Sequence, residues 1–278
     1  MTGGSPRAAV LGSPVVHSLS PVLHRAAYAA LGLGWEYTAI ECDEERLPAL
    51  LDGLGPEWAG LSLTMPLKRT VLPLLDDVTE LAERVGGANT VVFRGGRRYG
   101  DNTDVGGIVA ALTEAGLGRP NSALVLGGGA TAASALAALS ELGLTSARLA
   151  VRAPERAVDT VVVGNRFGLD IEMHMLDGVH DALGVDLVIS TLPGTAADAF
   201  AAPIAASGAA LFDVLYTPWP TTLATAVTAA GGTAVGGFPM LLHQAARQVA
   251  LMTGREDVPL DAMRAAGEAE LLRRLTDA

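Results

Sequence analysis

Four short segments of this chain carry residue types and spacings that could do chemistry. The first is Ala123-Leu124-Val125-Leu126-Gly127-Gly128-Gly129-Ala130-Thr131-Ala132. An apolar run meets three glycines, and a stretch of small residues starts at once. Gly127, Gly129 and Ala132 fit the pattern G-x-G-x-x-A. Between a strand and a helix, the first glycine permits the turn and the second lets backbone approach a pyrophosphate. The small third residue packs helix on strand. The N–H groups at the helix start then hold the anion. The alternative is a βα turn that is merely close-packed. Arg152 follows the next apolar run, with Arg156 four residues on. A strand-end Arg suits a ribose 2′-phosphate, whereas Asp or Glu there would suit the 2′-hydroxyl of NAD. That favours NADP, unless both arginines are ordinary solvated side chains.

The second segment, Ser18-Leu19-Ser20-Pro21, places two hydroxyls at a helix start. Ser20 reads as the N-cap and Pro21 as the first helical residue. With the helix dipole and free N–H groups, the pair would cradle a carboxylate. The third is Lys68, reached through Thr64-Met65-Pro66-Leu67. The fourth is Asp104, at the end of Gly100-Asp101-Asn102-Thr103-Asp104. A Lys–Asp pair can hold a hydroxyl and pass its proton, while Asn and Thr fix neighbouring hydroxyls. Most lysines and aspartates are solvated surface residues, so these positions alone leave that role open.

The elements that must position these groups alternate. Strands are predicted at residues 7–12, 35–41 and 60–64, with helices at 20–31 and 44–54 and a helical stretch near Lys68. Residues 88–93 and 97–101 read as a hairpin about Gly95-Gly96. A second alternation follows. Its helices are predicted at 104–115, 130–142, 155–167 and 221–230, and its strands at 122–126, 147–151, 169–173, 186–190, 210–214 and 233–236. Helices at 240–253 and 260–276 end the chain. Strands separated by helices imply βαβ units and largely parallel sheet.

The chain has 278 residues, with 19 Lys and Arg against 30 Asp and Glu, a net charge of −11. That balance argues against a nucleic-acid partner, which needs clustered basic residues. Cys42, the single cysteine, cannot form an intrachain disulfide. The five histidines show no metal-ligand spacing, and no metal is expected. The N-terminus lacks the charged start and apolar run of a secretory signal. Uncharged stretches at 120–140 and 214–242 are broken by Gly and Pro. They fall short of the about 20 strongly apolar residues of a membrane span.

Together the segments resemble the shikimate dehydrogenase family, and the resemblance runs over nearly the whole chain. It is carried by Ser18-Leu19-Ser20-Pro21, Thr64-Met65-Pro66-Leu67-Lys68, Ala88-Asn89-Thr90, Asp101-Asn102-Thr103-Asp104, the glycine turn, Asp213-Val214-Leu215-Tyr216-Thr217-Pro218, and Gly237-Phe238-Pro239-Met240-Leu241-Leu242-His243-Gln244-Ala245. It implies an α/β fold of two domains: an α/β substrate domain and a Rossmann-like nucleotide-binding domain with parallel sheet. Residues 1–103 would form the substrate domain, 104–237 the NADP domain, and 238–278 helices that return to the first.

The resemblance assigns Ser18 and Ser20 to the substrate carboxylate. It assigns Thr64, Asn89 and Gln244 to the ring hydroxyls and carboxylate side, and Tyr216 to the substrate side. Lys68 and Asp104 would be the catalytic pair. Gly127, Gly128, Gly129, Ala130 and Thr131 would hold the pyrophosphate, Arg152 the 2′-phosphate, and Gly237 and Met240 the nicotinamide side. Three departures stand out. The family often has Asn at the position of Ser62 and Gly at that of Ala130. It often has Asn and Thr flanking the Arg, where this chain has Val151 and Ala153. The expected reaction is reversible NADPH-dependent reduction of 3-dehydroshikimate to shikimate, in aromatic amino acid biosynthesis. The expected enzyme is a cytoplasmic monomer or homodimer with a small-molecule substrate and no nucleic-acid or membrane partner. Its rivals are an NAD-linked quinate or shikimate dehydrogenase, a non-catalytic dinucleotide-sensing relative and a methyltransferase.

Overall fold

The structure is a computed structural model that describes residues 5–276. By backbone contacts it divides into two units. One takes in the chain up to Thr103 and from Leu241 onward, and the other runs from Asp104 to Met240.

The first unit begins with β1 (Arg7–Gly12), α1 (Ser20–Ala30), β2 (Glu36–Glu41), α2 (Leu47–Asp52), β3 (Trp58–Leu63) and the single turn α3 (Leu67–Thr70). It continues with β4 (Asp77–Val78), α4 (Glu80–Val85), β5 (Thr90–Arg94) and β6 (Arg97–Asp101). The sheet order is β2-β1-β3-β5-β6-β4. β1 pairs parallel with both β2 and β3, whereas β5 is antiparallel to β3 and β6. β1 is buried from Ala8 to Gly12, as a central parallel strand must be. The edge strand β2 alternates, burying Tyr37. The segment β4–α4 is an addition to the predicted elements. Thr79 caps α4 by accepting the Ala82 N–H, and Gly86 ends it at φ +68°. The helix predicted at 44–54 is shorter, because Pro48 sits in its first turn.

The second unit opens with α5 (Asp104–Glu114), β7 (Ala123–Leu126), α6 (Ala130–Glu141), β8 (Ser146–Val151), α7 (Val158–Arg166) and β9 (Asp170–Met175). β10 (Leu187–Ser190), α8 (Ala201–Ser207), β11 (Ala210–Asp213), α9 (Thr222–Ala229) and β12 (Ala234–Val235) complete it. All pairings are parallel, in the order β12-β11-β10-β7-β8-β9. The central β7 and β10 are wholly buried short apolar runs. α6 buries every residue from Ala132 to Leu139, six of the eight being Ala or Ser, so its axis can lie close to the sheet. The helix predicted at 155–167 splits. Residues Pro154–Arg156 form a separate turn, Ala157 takes non-helical angles, and α7 starts at Val158.

The chain then runs through α10 (Phe238–Thr253) and α11 (Leu260–Thr276). Both are tied to the first unit. Arg94 donates to the Leu251 carbonyl on α10, and Arg274 of α11 donates to the His17 carbonyl.

Candidate active site

The first unit's candidate residues lie in three places. Ser18 and Ser20 follow β1. Ser20 is the first residue of α1 rather than its cap, and Leu19 holds the cap position without a side-chain bond. The Ser18 hydroxyl accepts the Ser20 N–H at 3.2 Å. Pro21 has no N–H, and those of Val22 and Leu23 both go to the Leu19 carbonyl. The free amides expected at this helix start are therefore already used. A carboxylate here would be met by hydroxyls.

Thr64 and Lys68 follow β3. The Thr64 N–H goes to the Leu11 carbonyl, and the Leu67 N–H returns to the Thr64 carbonyl. Gly12, the last residue of β1, lies against Thr64: a Cβ on it would collide with the Thr64 methyl. Leu67 is fully buried and anchors α3, leaving Lys68 half-buried beside it. The Lys68 carbonyl accepts the Ala88 N–H at 2.8 Å, which ties this turn to the segment carrying Asn89.

Asn89 is the centre of the third group. Its Oδ1 accepts from the Thr103 N–H at 2.8 Å and from the Thr90 hydroxyl at 2.9 Å. Its Nδ2 donates to Thr103 Oγ1 at 2.9 Å and to Gln244 Oε1 at 3.3 Å. The Asn102 amide donates to the Gly87 carbonyl at 2.8 Å. Asn89, Thr103 and Gln244 come from three separate stretches of chain, and all are buried. Buried amides and hydroxyls must be satisfied, and here they satisfy one another.

In the second unit, Asp104 is buried and opens α5. The glycine turn joins β7 to α6. Gly127 sits at φ +108°, a conformation open to glycine. At Gly128 a Cβ would meet the Ala157 Cβ at 2.8 Å, and the Thr160 hydroxyl donates to the Gly128 carbonyl at 2.7 Å. Gly129 faces open space, with nothing within 4 Å of a Cβ. It is the N-cap of α6 and supplies no side-chain cap. Ala130 and Thr131, half-buried, form the first turn beyond it. An open glycine before an uncapped helix is the donor set that a pyrophosphate requires, so the turn fits a dinucleotide. Arg152 and Arg156 are both exposed just after β8.

Beyond β11, Asp213 is fully buried. Burial raises its carboxyl against the pull of the Leu215 N–H and the Thr221 hydroxyl, both hydrogen-bonded to it. It thereby ties the segment leading to half-buried Tyr216 to the start of α9. Gly237 donates its N–H to the Leu215 carbonyl, and any Cβ on it would collide with the Val214 carbonyl. Met240, in the first turn of α10, is buried.

Two family models match the chain. The shikimate dehydrogenase substrate binding domain matches residues 10–91, and the shikimate 5′-dehydrogenase C-terminal domain matches residues 237–266. A shikimate dehydrogenase (NADP(+)) from Synechococcus sp. is 33% identical, over 98% of this chain and 96% of its own. The chain belongs to the shikimate dehydrogenase family. Its fold agrees with solved members. A shikimate dehydrogenase from Mycobacterium tuberculosis is 43% identical with a TM-score of 0.88, covering 95% of this chain and 99% of that one. The Thermus thermophilus shikimate 5-dehydrogenase in complex with NADP(H) and shikimate is 34% identical with a TM-score of 0.83, at the same coverage.

Within the first unit the sequence left several polar residues unassigned. Tyr37, Ser62, Thr90 and Gln248 are buried and hydrogen-bonded into the Asn89 group. For Gln248 a signal existed: it lies four residues after Gln244, on the same helix face. Ser62, where the family often has Asn, is 3% exposed and accepts from Tyr37 while donating to Gln248.

Proposed function

We propose that this protein catalyses the reversible NADPH-dependent reduction of 3-dehydroshikimate to shikimate. The observation that carries the reading is the convergence of Asn89, Thr103 and Gln244 in the same unit as Ser18, Ser20 and Lys68. Several oriented hydrogen-bonding groups with one cation suit a small acid that carries several hydroxyls. The unit that holds them is the substrate domain, and the Asp104–Met240 unit is the NADP domain. Ser18 and Ser20 bind the carboxylate, and Thr64, Asn89 and Gln244 meet the ring hydroxyls and the carboxylate side. Tyr216 lines the substrate side. Gly127, Gly128, Gly129, Ala130 and Thr131 would hold the pyrophosphate, and Gly237 and Met240 the nicotinamide side.

When bound, NADPH supplies the hydride for the ring ketone. Lys68 delivers a proton to the oxygen that becomes the hydroxyl, and takes it back in the reverse direction. Its positive charge also stabilises the alkoxide as that charge develops. Asp104, the other member of the catalytic pair, accepts from a substrate hydroxyl. Among the described residues, no helix is long and apolar enough to cross a membrane. The enzyme acts as a monomer or homodimer in the cytoplasm.

The deciding experiment assays purified protein with shikimate and quinate, each with NADP and NAD. Shikimate with NADP is expected to give the highest kcat/KM. Preference for quinate with NAD would replace this reading with its nearest rival. In the same assay Arg152→Ala should raise KM for NADP by about ten-fold or more and leave NAD almost unaffected. A guanidinium bonds phosphate through two N–H groups, and ten-fold is about 1.4 kcal/mol. Equal loss with both cofactors would assign Arg152 to the fold or to the adenine instead.

A further inference from the structure

Three successive glycines follow β7, and glycine restrains its own backbone least of all residues. What holds each one therefore matters. Gly127 donates its N–H to the Ala150 carbonyl at 2.9 Å. The Gly129 carbonyl accepts the Ala133 N–H at 3.1 Å as α6 begins. The peptide between Gly128 and Gly129 is held from outside the turn. Thr160, in the first turn of α7, donates its hydroxyl to the Gly128 carbonyl at 2.7 Å. Gly128 also lies close against the start of α7. A Cβ on it would meet the Ala157 Cβ at 2.8 Å and Val151 Cγ1 at 3.3 Å. α7 buries Thr160, Val163 and Gly164, and Thr160 is the one of these with a polar side chain. A buried hydroxyl must find a partner, and this one finds the turn.

A peptide unit is planar and trans, so its carbonyl and the next N–H point in opposite directions. A Gly128 carbonyl held toward α7 therefore sends the Gly129 N–H away from α7. At Gly129 the space is open, with nothing within 4 Å of an added Cβ. Rotation of this one peptide would turn its carbonyl outward and its N–H inward. An anion at the start of α6 would then meet an acceptor in place of a donor.

We propose that Thr160 is a positioning residue for the cofactor: its hydroxyl sets the Gly128–Gly129 peptide so that the Gly129 N–H is presented to the pyrophosphate. This rests on the glycine turn holding the pyrophosphate, as proposed above. Thr160 acts through the turn, and its effect is separate from that of Arg152 on the 2′-phosphate.

Thr160→Val removes the hydroxyl, and Thr160→Ser keeps it. Titration of the purified proteins with NADP and with adenosine 2′-phosphate reads the effect without turnover. Adenosine 2′-phosphate carries the 2′-phosphate but no pyrophosphate. Thr160→Val should raise Kd for NADP about five- to ten-fold, the effect of one weakened hydrogen bond. Its Kd for adenosine 2′-phosphate and its KM for shikimate should not change. Thr160→Ser should bind NADP as wild type does. Thr160→Ala serves if a valine methyl set against the Gly128 carbonyl prevents folding. An unchanged Kd for NADP in the variants without the hydroxyl would overturn the proposal. So would an equal rise in Kd for adenosine 2′-phosphate, which would make Thr160 a support of the β8–α7 corner as a whole, and so would a Thr160→Ser variant as weak as Thr160→Val. Wild-type protein that did not bind NADP would overturn the reading beneath the proposal as well. Wild-type protein that bound NADP but left shikimate unoxidised would overturn the reaction alone, a result distinct from these.

Discussion

Lys68→Ala is expected to lower kcat by about 10²- to 10⁴-fold, the usual contribution of a general acid–base group. KM for shikimate should change much less. The lost interaction is with charge that develops on the reacting oxygen, so it counts mainly in the transition state. The fold should survive. α3 is held by Leu67 and by the Lys68 carbonyl, which accepts the Ala88 N–H, and the variant keeps both. Steady-state kinetics in the direction of shikimate oxidation, with a thermal melt beside them, test this. A variant with near-normal kcat would remove Lys68 as the proton carrier. A variant with low kcat and a collapsed melting temperature would have lost its structure rather than its chemistry.

The α/β alternation was legible because it is local. Apolar runs such as Ala123–Leu126 end at glycines, and helices start within a few residues. Three features were not legible, each for a physical reason. In Ser18-Leu19-Ser20-Pro21 the two hydroxyls stand either side of the helix start, and Pro21 tolerates either register. Sequence places Ser20 at the cap, whereas it is Ser18 that meets a backbone N–H. The break between residues 156 and 158 follows from packing, because Ala157 lies against Gly128 across the turn after β7. Nothing near Ala157 in sequence announces that contact.

The hydrogen-bonded set of Tyr37, Ser62 and Gln248 is the third. Tyr37 falls within a predicted strand, and Ser62 stands out only as a departure from the family's Asn. Their partner Gln248 lies 186 residues after Ser62. Only the fold of α10 onto the first unit makes these polar groups neighbours. The four-residue spacing of Gln244 and Gln248 shows that two amides share a helix face. It does not show what they face.

Gly129→Asp should all but abolish use of NADP while leaving the protein as stable as before, or slightly more so. The two halves of that expectation have different origins. Gly129 has ordinary extended backbone, at φ −89° and ψ −172°, so an aspartate needs no strained conformation there. Nothing lies within 4 Å of the added Cβ. The residue is the N-cap of α6, and Asp in place of Gly at an N-cap gains a few tenths of a kcal/mol. The same carboxylate would take the N–H groups that a pyrophosphate needs and would repel its charge. Losing two charge-assisted hydrogen bonds, at about 1.5–3 kcal/mol each, corresponds to at least about 100-fold in affinity. A change at Gly128 would behave differently, since a Cβ there meets Ala157 at 2.8 Å and stability itself would fall. Titration of NADP against the purified variant, with a thermal melt in its absence, separates the effects. If Gly129→Asp still binds NADP at near wild-type affinity, the start of α6 does not hold the pyrophosphate, and the glycine turn is only a close-packed connection.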